Sequence, residues 1–200
     1  MLYYERKLKK QGYNLIIGAD EVGRGSLAGP VVAAAVSLKK SSFKNRIDDS
    51  KKLTPYQREK AFPEILKNCV FGLGIINERV VDRLNVLSAT RLAMEQAIKE
   101  VVDKIKPRHN NGIHILIDGN VRFNINYPFT NIIKGDSKSK SIACASILAK
   151  VIRDQIMVLY HKAYPQYGFF KHKGYGTRAH LLALKKFGPS AIHRITFCHV

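Results

Sequence analysis

The sequence predicts an α/β protein built on a mixed sheet, and three observations carry that prediction. Two apolar runs, Leu15-Ile16-Ile17-Gly18-Ala19 and Ile113-His114-Ile115-Leu116-Ile117, have the composition of buried strands, and each runs straight into carboxylate, Asp20-Glu21 and Asp118. Two long stretches, about 81–105 and 142–159, keep apolar residues at helical spacing. Three strand segments come before an alternation of helices with further strands, which gives a sheet of mixed direction.

The elements follow in order. After a short basic opening, a strand is predicted at about Asn14 to Asp20, then a turn from Gly23 to Pro30 and a second strand from Val31 to Leu38. Thr54-Pro55-Tyr56-Gln57 has the form of a capping box with proline at the first helical position, so a helix starts there. Cys69 to Ile76 reads as a third strand. One helix is expected from Val81 to Ile105 on the spacing of Leu84, Leu87, Met94, Ile98, Val101 and Ile105, stopped by Pro107 and Asn110-Asn111-Gly112. The strand ending at Asp118 comes next. Ile142, Ala145, Ala149, Ile152, Ile156 and Leu159 mark one face of a long helix, and its small residues from Ala143 to Ser146 allow close packing on the sheet. Thr177 caps a final helix that Gly188-Pro189 ends. With no repeat and no linker, residues 1–200 read as a single domain.

Composition limits the function. The chain has 34 Lys+Arg against 15 Asp+Glu, a net charge of +19 and a pI near 10.0. Such a balance favours a polyanionic partner, nucleic acid above all, because phosphate contacts release counterions. The basic residues are interspersed along the chain, as on a folded basic surface. Cys69, Cys144 and Cys198 have no paired zinc spacing and read as reduced thiols. There is no apolar signal core at the N-terminus, and the longest apolar stretch, Val31 to Leu38, is too short to span a bilayer. A cytoplasmic protein is expected.

In a chain so poor in acid, carboxylates at two strand ends suggest a cation site. Oxygen donors of this kind suit hard divalent ions, and strand ends are where α/β proteins place function. Each residue also has an ordinary reading: Asp20 and Glu21 as turn caps, Asp118-Gly119 as a simple turn, Asp136 as part of a surface loop among lysines.

Asp20-Glu21-Val22-Gly23-Arg24-Gly25, followed by Ser26 to Pro30, resembles the signature of the ribonuclease HII family. Asp49-Ser50-Lys51-Lys52-Leu53-Thr54 and Ile117-Asp118-Gly119-Asn120 match two further blocks of that family. Lys134-Gly135-Asp136-Ser137-Lys138-Ser139, continuing through Ser141-Ile142-Ala143 to Arg153-Asp154, matches another, and His172-Lys173-Gly174-Tyr175-Gly176-Thr177 a fifth. The resemblance covers nearly the whole chain.

It implies the ribonuclease H-like fold, a five-stranded mixed sheet flanked by helices, here with a C-terminal helical segment. It also implies hydrolysis of the RNA strand of RNA–DNA hybrids and incision 5′ of ribonucleotides embedded in duplex DNA, as in ribonucleotide and RNA-primer removal. Asp20, Glu21, Asp118 and Asp136 then correspond to the family's catalytic, metal-holding carboxylates, for two divalent ions, Mg²⁺ or Mn²⁺. A pair of such ions lowers the pKa of the attacking water and steadies the leaving 3′ oxygen, giving 5′-phosphate and 3′-hydroxyl ends. Gly23-Arg24-Gly25 and Tyr175 correspond to the residues that read the 2′-hydroxyl and the RNA-to-DNA junction.

Lys51, Lys52, Lys138, Lys173 and Arg178 are candidates for phosphate contacts. Asp154 is the rival to Asp136 and reads more simply as a helix ion-pair partner. His172 and His180 read as phosphate contacts or packing. Ser26, Ser50, Ser139 and Ser146 have no Ser–His–Asp partners. Two alternatives stand beside this reading. A basic nucleic-acid-binding protein with structural carboxylates would bind hybrids without cleaving them. Ribonuclease HIII is disfavoured by the short segment before Asp20 and by Arg24-Gly25. A monomer is expected.

Overall fold

The computed structural model describes residues 1–107, 112–120 and 125–198. Five strands form one sheet: β1 (Leu15–Val22), β2 (Val31–Leu38), β3 (Cys69–Ile76), β4 (Ile113–Asp118) and β5 (Phe129–Ile132). Their order is β3-β2-β1-β4-β5. β1, β2 and β3 form an antiparallel meander, whereas β4 lies parallel to β1 and β5 parallel to β4. This is the mixed sheet that the sequence predicts.

Alternation along the strands feeds two cores. Ile17, Ala19, Val31, Ala33 and Ala35 face one side with Ala93, Met94, Ala97 and Ile98, which belong to helix α4 (Val86–Ile105). Val32, Ala34 and Val36 face the other, against α2 (Pro55–Asn68) and the long α5 (Lys140–Ala163). Helices on both faces make a three-layer α/β/α body. Gly74 lets β3 run against α4, since a Cβ there would overlap the Ala93 carbonyl. A smaller core at the C-terminal end gathers Ala28, Met157, Tyr167, Phe169, Leu184 and Ile192. Around it lie the short α6 (Phe169–His172) and α7 (Arg178–Phe187).

The capping expectations hold. Thr54 and Gln57 form the reciprocal box at the start of α2, and Thr177 accepts from the His180 N–H at the start of α7. The single helix expected over 81–105 is two helices, α3 (Glu78–Leu84) and α4, broken at Asn85. Asn85 takes φ 68°, and its side chain accepts from the N–H groups of Leu87 and Ser88, capping the second helix. Of the expected helix stop, Asn110 and Asn111 lie outside the described residues; α4 ends at Ile105, with Lys106 left-handed.

The basic opening is itself a helix, α1 (Tyr3–Lys10). Its buried Glu5 accepts from Ser139 Oγ at 2.7 Å, Ser141 N at 2.9 Å and Ser141 Oγ at 2.9 Å. Residues 1–10 are thereby tied to the start of α5. Cys69 and Cys144 are buried free thiols, and Cys198 is a half-buried one. Among the described residues no helix is long and apolar enough to cross a membrane.

Candidate metal centre and the loops beside it

The parallel pairing of β1 and β4 sets the site. Ala19 lies opposite Ile117, so the next residues, Asp20 and Asp118, leave the sheet side by side at the carboxyl ends of adjacent strands. β5 ends at Ile132, opposite Asp118. The chain then reverses at Lys134, which is left-handed with φ 56°, and a short 3-10 turn, Gly135–Ser137, brings Asp136 back toward the strand ends. The Gly135 N–H donates to Asp118 Oδ1 at 2.6 Å. One carboxylate oxygen each from Asp20, Asp118 and Asp136 lies within 4.8 Å of the others.

Burial and crowding of like charge show in the acidities of Asp20 and Asp136. Asp20 is 4% exposed. Burial pushes its carboxyl well above the usual range, and the charges of Glu21 and Asp118 add to the effect. Hydrogen bonds from the Ser146 side chain and from the Glu21 N–H, at 2.7 Å, offset part of it. Asp136 is raised to about 6, by burial first and then by Asp118 and Asp49, with Lys51 opposing. Each shift has the sign expected when carboxylates converge with too little positive charge between them. Such a donor set suits a hard divalent cation.

Glu21 stands next to Asp20 but outside the converging three. Its Oε1 accepts from Arg24 Nη1 at 3.2 Å. Burial raises its carboxyl, Arg24 lowers it and Asp118 raises it, so the group still feels the cluster. Of the four expected carboxylates, the structure brings three into ligand geometry and leaves Glu21 at the edge, paired to Arg24. Asp154 is held by Lys150 at 2.7 Å one helical turn away, the ion pair that its position on α5 suggested.

Two neighbours were not assigned to this site from sequence. Asp49 shares a side-chain hydrogen bond with Asp136 and is one cause of its raised proton affinity. Ser146 Oγ on α5 lies 2.9 Å from Ser50 Oγ, which links that helix to the 48–53 loop. The signal available was the Asp49-Ser50-Lys51 block, read for its lysines rather than its acid. Lys51 reaches Asp136 Oδ2 at 3.7 Å. Burial alone would lower its ammonium, but Asp20, Asp136 and their neighbours outweigh burial and raise it.

The turn after β1 lies beside this cluster. Gly23 has φ 94°, and a Cβ there would overlap Arg153 Nε and sit 2.8 Å from the Pro30 carbonyl. Gly25 opens onto free space. Ser26 pairs with Tyr175 in an isolated antiparallel bridge, and the Leu27 N–H donates to the Gly174 carbonyl at 2.8 Å. Gly23-Arg24-Gly25 and the half-buried Tyr175 are therefore neighbours, although 150 residues separate Gly25 from Tyr175 in the chain. Over the Tyr175 ring lie the Arg153 guanidinium at 5.4 Å and Lys150 Nζ at 5.9 Å.

The other basic candidates disperse. Lys138 donates to the Ile133 carbonyl at 2.8 Å, and Lys52 reaches Asp48 at 3.7 Å. Lys173 donates to the Phe170 carbonyl and lines, with Arg58, Lys150 and Lys171, a groove of about 570 Å³. Arg178 opens α7 in an exposed position. His172 and His180 stack at 4.4 Å beside the C-terminal core, and their ring nitrogens bond to main chain, His172 at Tyr167 and Gly174 and His180 at Tyr175.

Comparison with known proteins agrees with this geometry. The family model described as Ribonuclease HII matches residues 17–200. Among curated relatives, the ribonuclease HII of Caldanaerobacter subterraneus subsp. tengcongensis is 51% identical over 98% of this chain and 79% of its own length. That of Acholeplasma laidlawii is 48% identical over 100% and 95%.

Among solved structures, the ribonuclease HII in a complex with PCNA from Archaeoglobus fulgidus superposes with a TM-score of 0.72 at 23% identity, covering 90% of this chain and 94% of that one. Ribonuclease H2 from Pyrococcus horikoshii OT3 gives 0.69 at 22%, covering 92% and 95%. Bst-RNase HIII in complex with Mn²⁺ gives 0.66 at 18%, covering 94% and 68%. At these identities the structures speak for the ribonuclease H-like fold, while the curated relatives and the family model speak for kinship. The chain belongs to the ribonuclease HII family, and with it to the metal-dependent ribonuclease H endonucleases that act on RNA–DNA substrates.

Proposed function

We propose that this chain, as a monomeric catalytic domain over residues 1–200 working in the cytoplasm, cuts the RNA strand of RNA–DNA hybrids. We propose further that it incises duplex DNA on the 5′ side of an embedded ribonucleotide, leaving 5′-phosphate and 3′-hydroxyl ends. One observation carries the reading: the carboxylates of Asp20, Asp118 and Asp136 converge within 4.8 Å at the strand ends, and the Gly23-Arg24-Gly25 turn lies against Tyr175 beside them.

Asp20, Asp118 and Asp136 would hold the divalent ions, Mg²⁺ or Mn²⁺, with Glu21 contributing from the edge once it parts from Arg24. Bound there, the two ions supply an activated water and charge stabilisation at the phosphate and the leaving oxygen. The chain's own residues do the rest. Ser146 and the Glu21 N–H hold Asp20 in place, and Gly135 does the same for Asp118. Lys51 and Lys138 bring positive charge to the phosphates flanking the scissile bond. The Gly25 side of the turn is open, so its backbone can approach a ribose and test for the 2′-hydroxyl. Tyr175 presents its ring to the next sugar.

The test is an end-labelled duplex carrying one ribonucleotide, incubated with Mg²⁺, with Mn²⁺ and with chelator. Cleavage on the 5′ side of the ribonucleotide with either metal, abolished by chelator and leaving a 3′-hydroxyl, is expected. Cleavage that persists in chelator, or a cut on the 3′ side, overturns the reading.

A further inference from the structure

His193 and Arg194 are consecutive and buried, and they reach the two halves of the ribose-facing surface separately. Arg194, 0% exposed, donates from Nε and Nη2 to the Gly29 carbonyl at 3.0 and 2.7 Å and from Nη1 to the Arg24 carbonyl at 2.9 Å. No carboxylate forms an ion pair with it among the described residues. Among the described residues its hydrogen bonds go to main-chain oxygens of the turn that carries Gly23-Arg24-Gly25, and the Phe197 ring lies 5.5 Å from its guanidinium. An unpaired guanidinium buried at this cost has to be matched by good hydrogen bonds, and these carbonyls provide them. The Arg24 carbonyl belongs to the same peptide as the Gly25 N–H, so the bond both fixes that peptide plane and polarises its N–H.

His193 works on the other half. The Ser190 N–H and hydroxyl donate to His193 Nδ1 at 2.8 and 2.7 Å, which makes that nitrogen an acceptor and puts the ring proton on Nε2. Nε2 lies 3.0 Å from His180 Nε2, so His180 accepts there and carries its own proton on Nδ1. Nδ1 in turn sits 3.0 Å from the Tyr175 carbonyl. The chain of bonds has one consistent direction, from Ser190 through two neutral imidazoles to Tyr175. Burial holds both rings below the usual histidine range, His193 at about 4, which suits the neutral forms that the bonds require.

We propose that His193-Arg194 is a positioning element: one side chain fixes the Gly23-Arg24-Gly25 turn, the next fixes Tyr175 through His180, and together they set the distance between the two ribose-reading groups. The proposal rests on the assignment of those groups as readers made above. Neither residue touches the carboxylate cluster, so its effect should fall on sugar recognition and leave metal affinity alone.

The experiment measures kcat and KM for Arg194→Lys, His193→Asn, Ser190→Ala and Tyr175→Ala on two substrates, a duplex with one ribonucleotide and a long RNA–DNA hybrid. Mn²⁺ affinity by calorimetry and the melting temperature are measured alongside. A displacement of about 1 Å costs on the order of 100-fold, so the single-ribonucleotide kcat should fall about 10- to 100-fold in Arg194→Lys and His193→Asn. The hybrid should fall several-fold less, with Mn²⁺ affinity unchanged. A merely structural role lowers both substrates equally and in step with the melting temperature, and that result overturns the proposal. If Arg194→Lys does not fold, His193→Asn and the surface-side Ser190→Ala carry the test. If Tyr175→Ala shifts the substrate ratio while the other variants do not, positioning by His193-Arg194 is wrong. If Tyr175→Ala leaves the ratio untouched as well, the reader assignment itself has failed.

Discussion

The Gly135 N–H bonds Asp118 Oδ1 at 2.6 Å, so the last residue of β4 is fastened to the turn that delivers Asp136. Two of the three converging carboxylates therefore move as one piece. The third, Asp20, is held from the other side through Ser146 and the Glu21 N–H.

Asp118→Asn keeps the shape of the side chain and removes its charge. Cleavage should fall by roughly three orders of magnitude or more, the scale on which electrostatic stabilisation acts in a preorganised site. Hybrid affinity, carried by the basic surface, should change less than about 3-fold. Paired cleavage and fluorescence-anisotropy titrations check this, and turnover within about 10-fold of the parent protein would remove Asp118 from the chemistry. Asp20→Asn should behave alike.

Asp136 couples function to stability. Its carboxyl holds a proton up to about 6 in the folded chain, against about 3.9 for a free aspartate. Between those values the folded state binds more protons than the unfolded state. The contribution of this group to stability is therefore greatest at low pH and declines as pH rises through the window. Without divalent metal at pH 7.5, Asp136→Asn should melt higher than the parent, by about 2–4 °C for each kcal/mol relieved. The gain should shrink at pH 4.5 and disappear when Mn²⁺ stabilises the parent. Thermal melts at two pH values, with and without metal, decide it.

His193 has the opposite slope. Its folded value, about 4, is below the 6.5 of a free imidazole, so its contribution is complete above pH 6.5 and is lost as pH falls toward 4. Melting temperatures of the parent should drop across that interval. His193→Asn should lose part of that drop, and an unchanged pH profile would mean that the ring is not held neutral by its surroundings.

Tyr175→Ala should weaken incision at a single ribonucleotide more than cleavage of a long hybrid, by about 10-fold in the ratio. A hybrid offers many ribose sugars in alternative registers, so loss of one aromatic contact matters less there. Parallel time courses on the two duplexes measure the ratio, and equal losses would count against junction reading.

Much of this was legible in the chain. The apolar runs ending in Asp20 and Asp118 mark strand ends, and parallel pairing of β1 with β4 sets those ends together. Thr54 and Thr177 announced their helices because capping is a local interaction. What the sequence concealed was non-local. The break at Asn85 interrupts an unbroken apolar rhythm through a left-handed residue whose side chain caps the following turn. Helix α1 looked like a basic leader because its tie to the fold runs through Glu5, whose partners lie at Ser139 and Ser141. Asp49 lies in a block read for its lysines, and no spacing in the chain ties His193 to His180. Each acquires its role from a neighbour that only the folded chain supplies.

The seat of Glu5 has a consequence for synthesis. Its hydroxyl partner at Ser139 is 134 positions downstream. As the chain grows from its amino end, helix α1 is made long before Ser139 and Ser141 and docks only after they have emerged. Until then Glu5 has no Ser139 or Ser141 to cap, and the loop bearing Asp136 has not been made. Completion of the acidic centre and capture of residues 1–10 thus belong to the same late stage of folding, and a nascent chain halted before Asp136 would have neither.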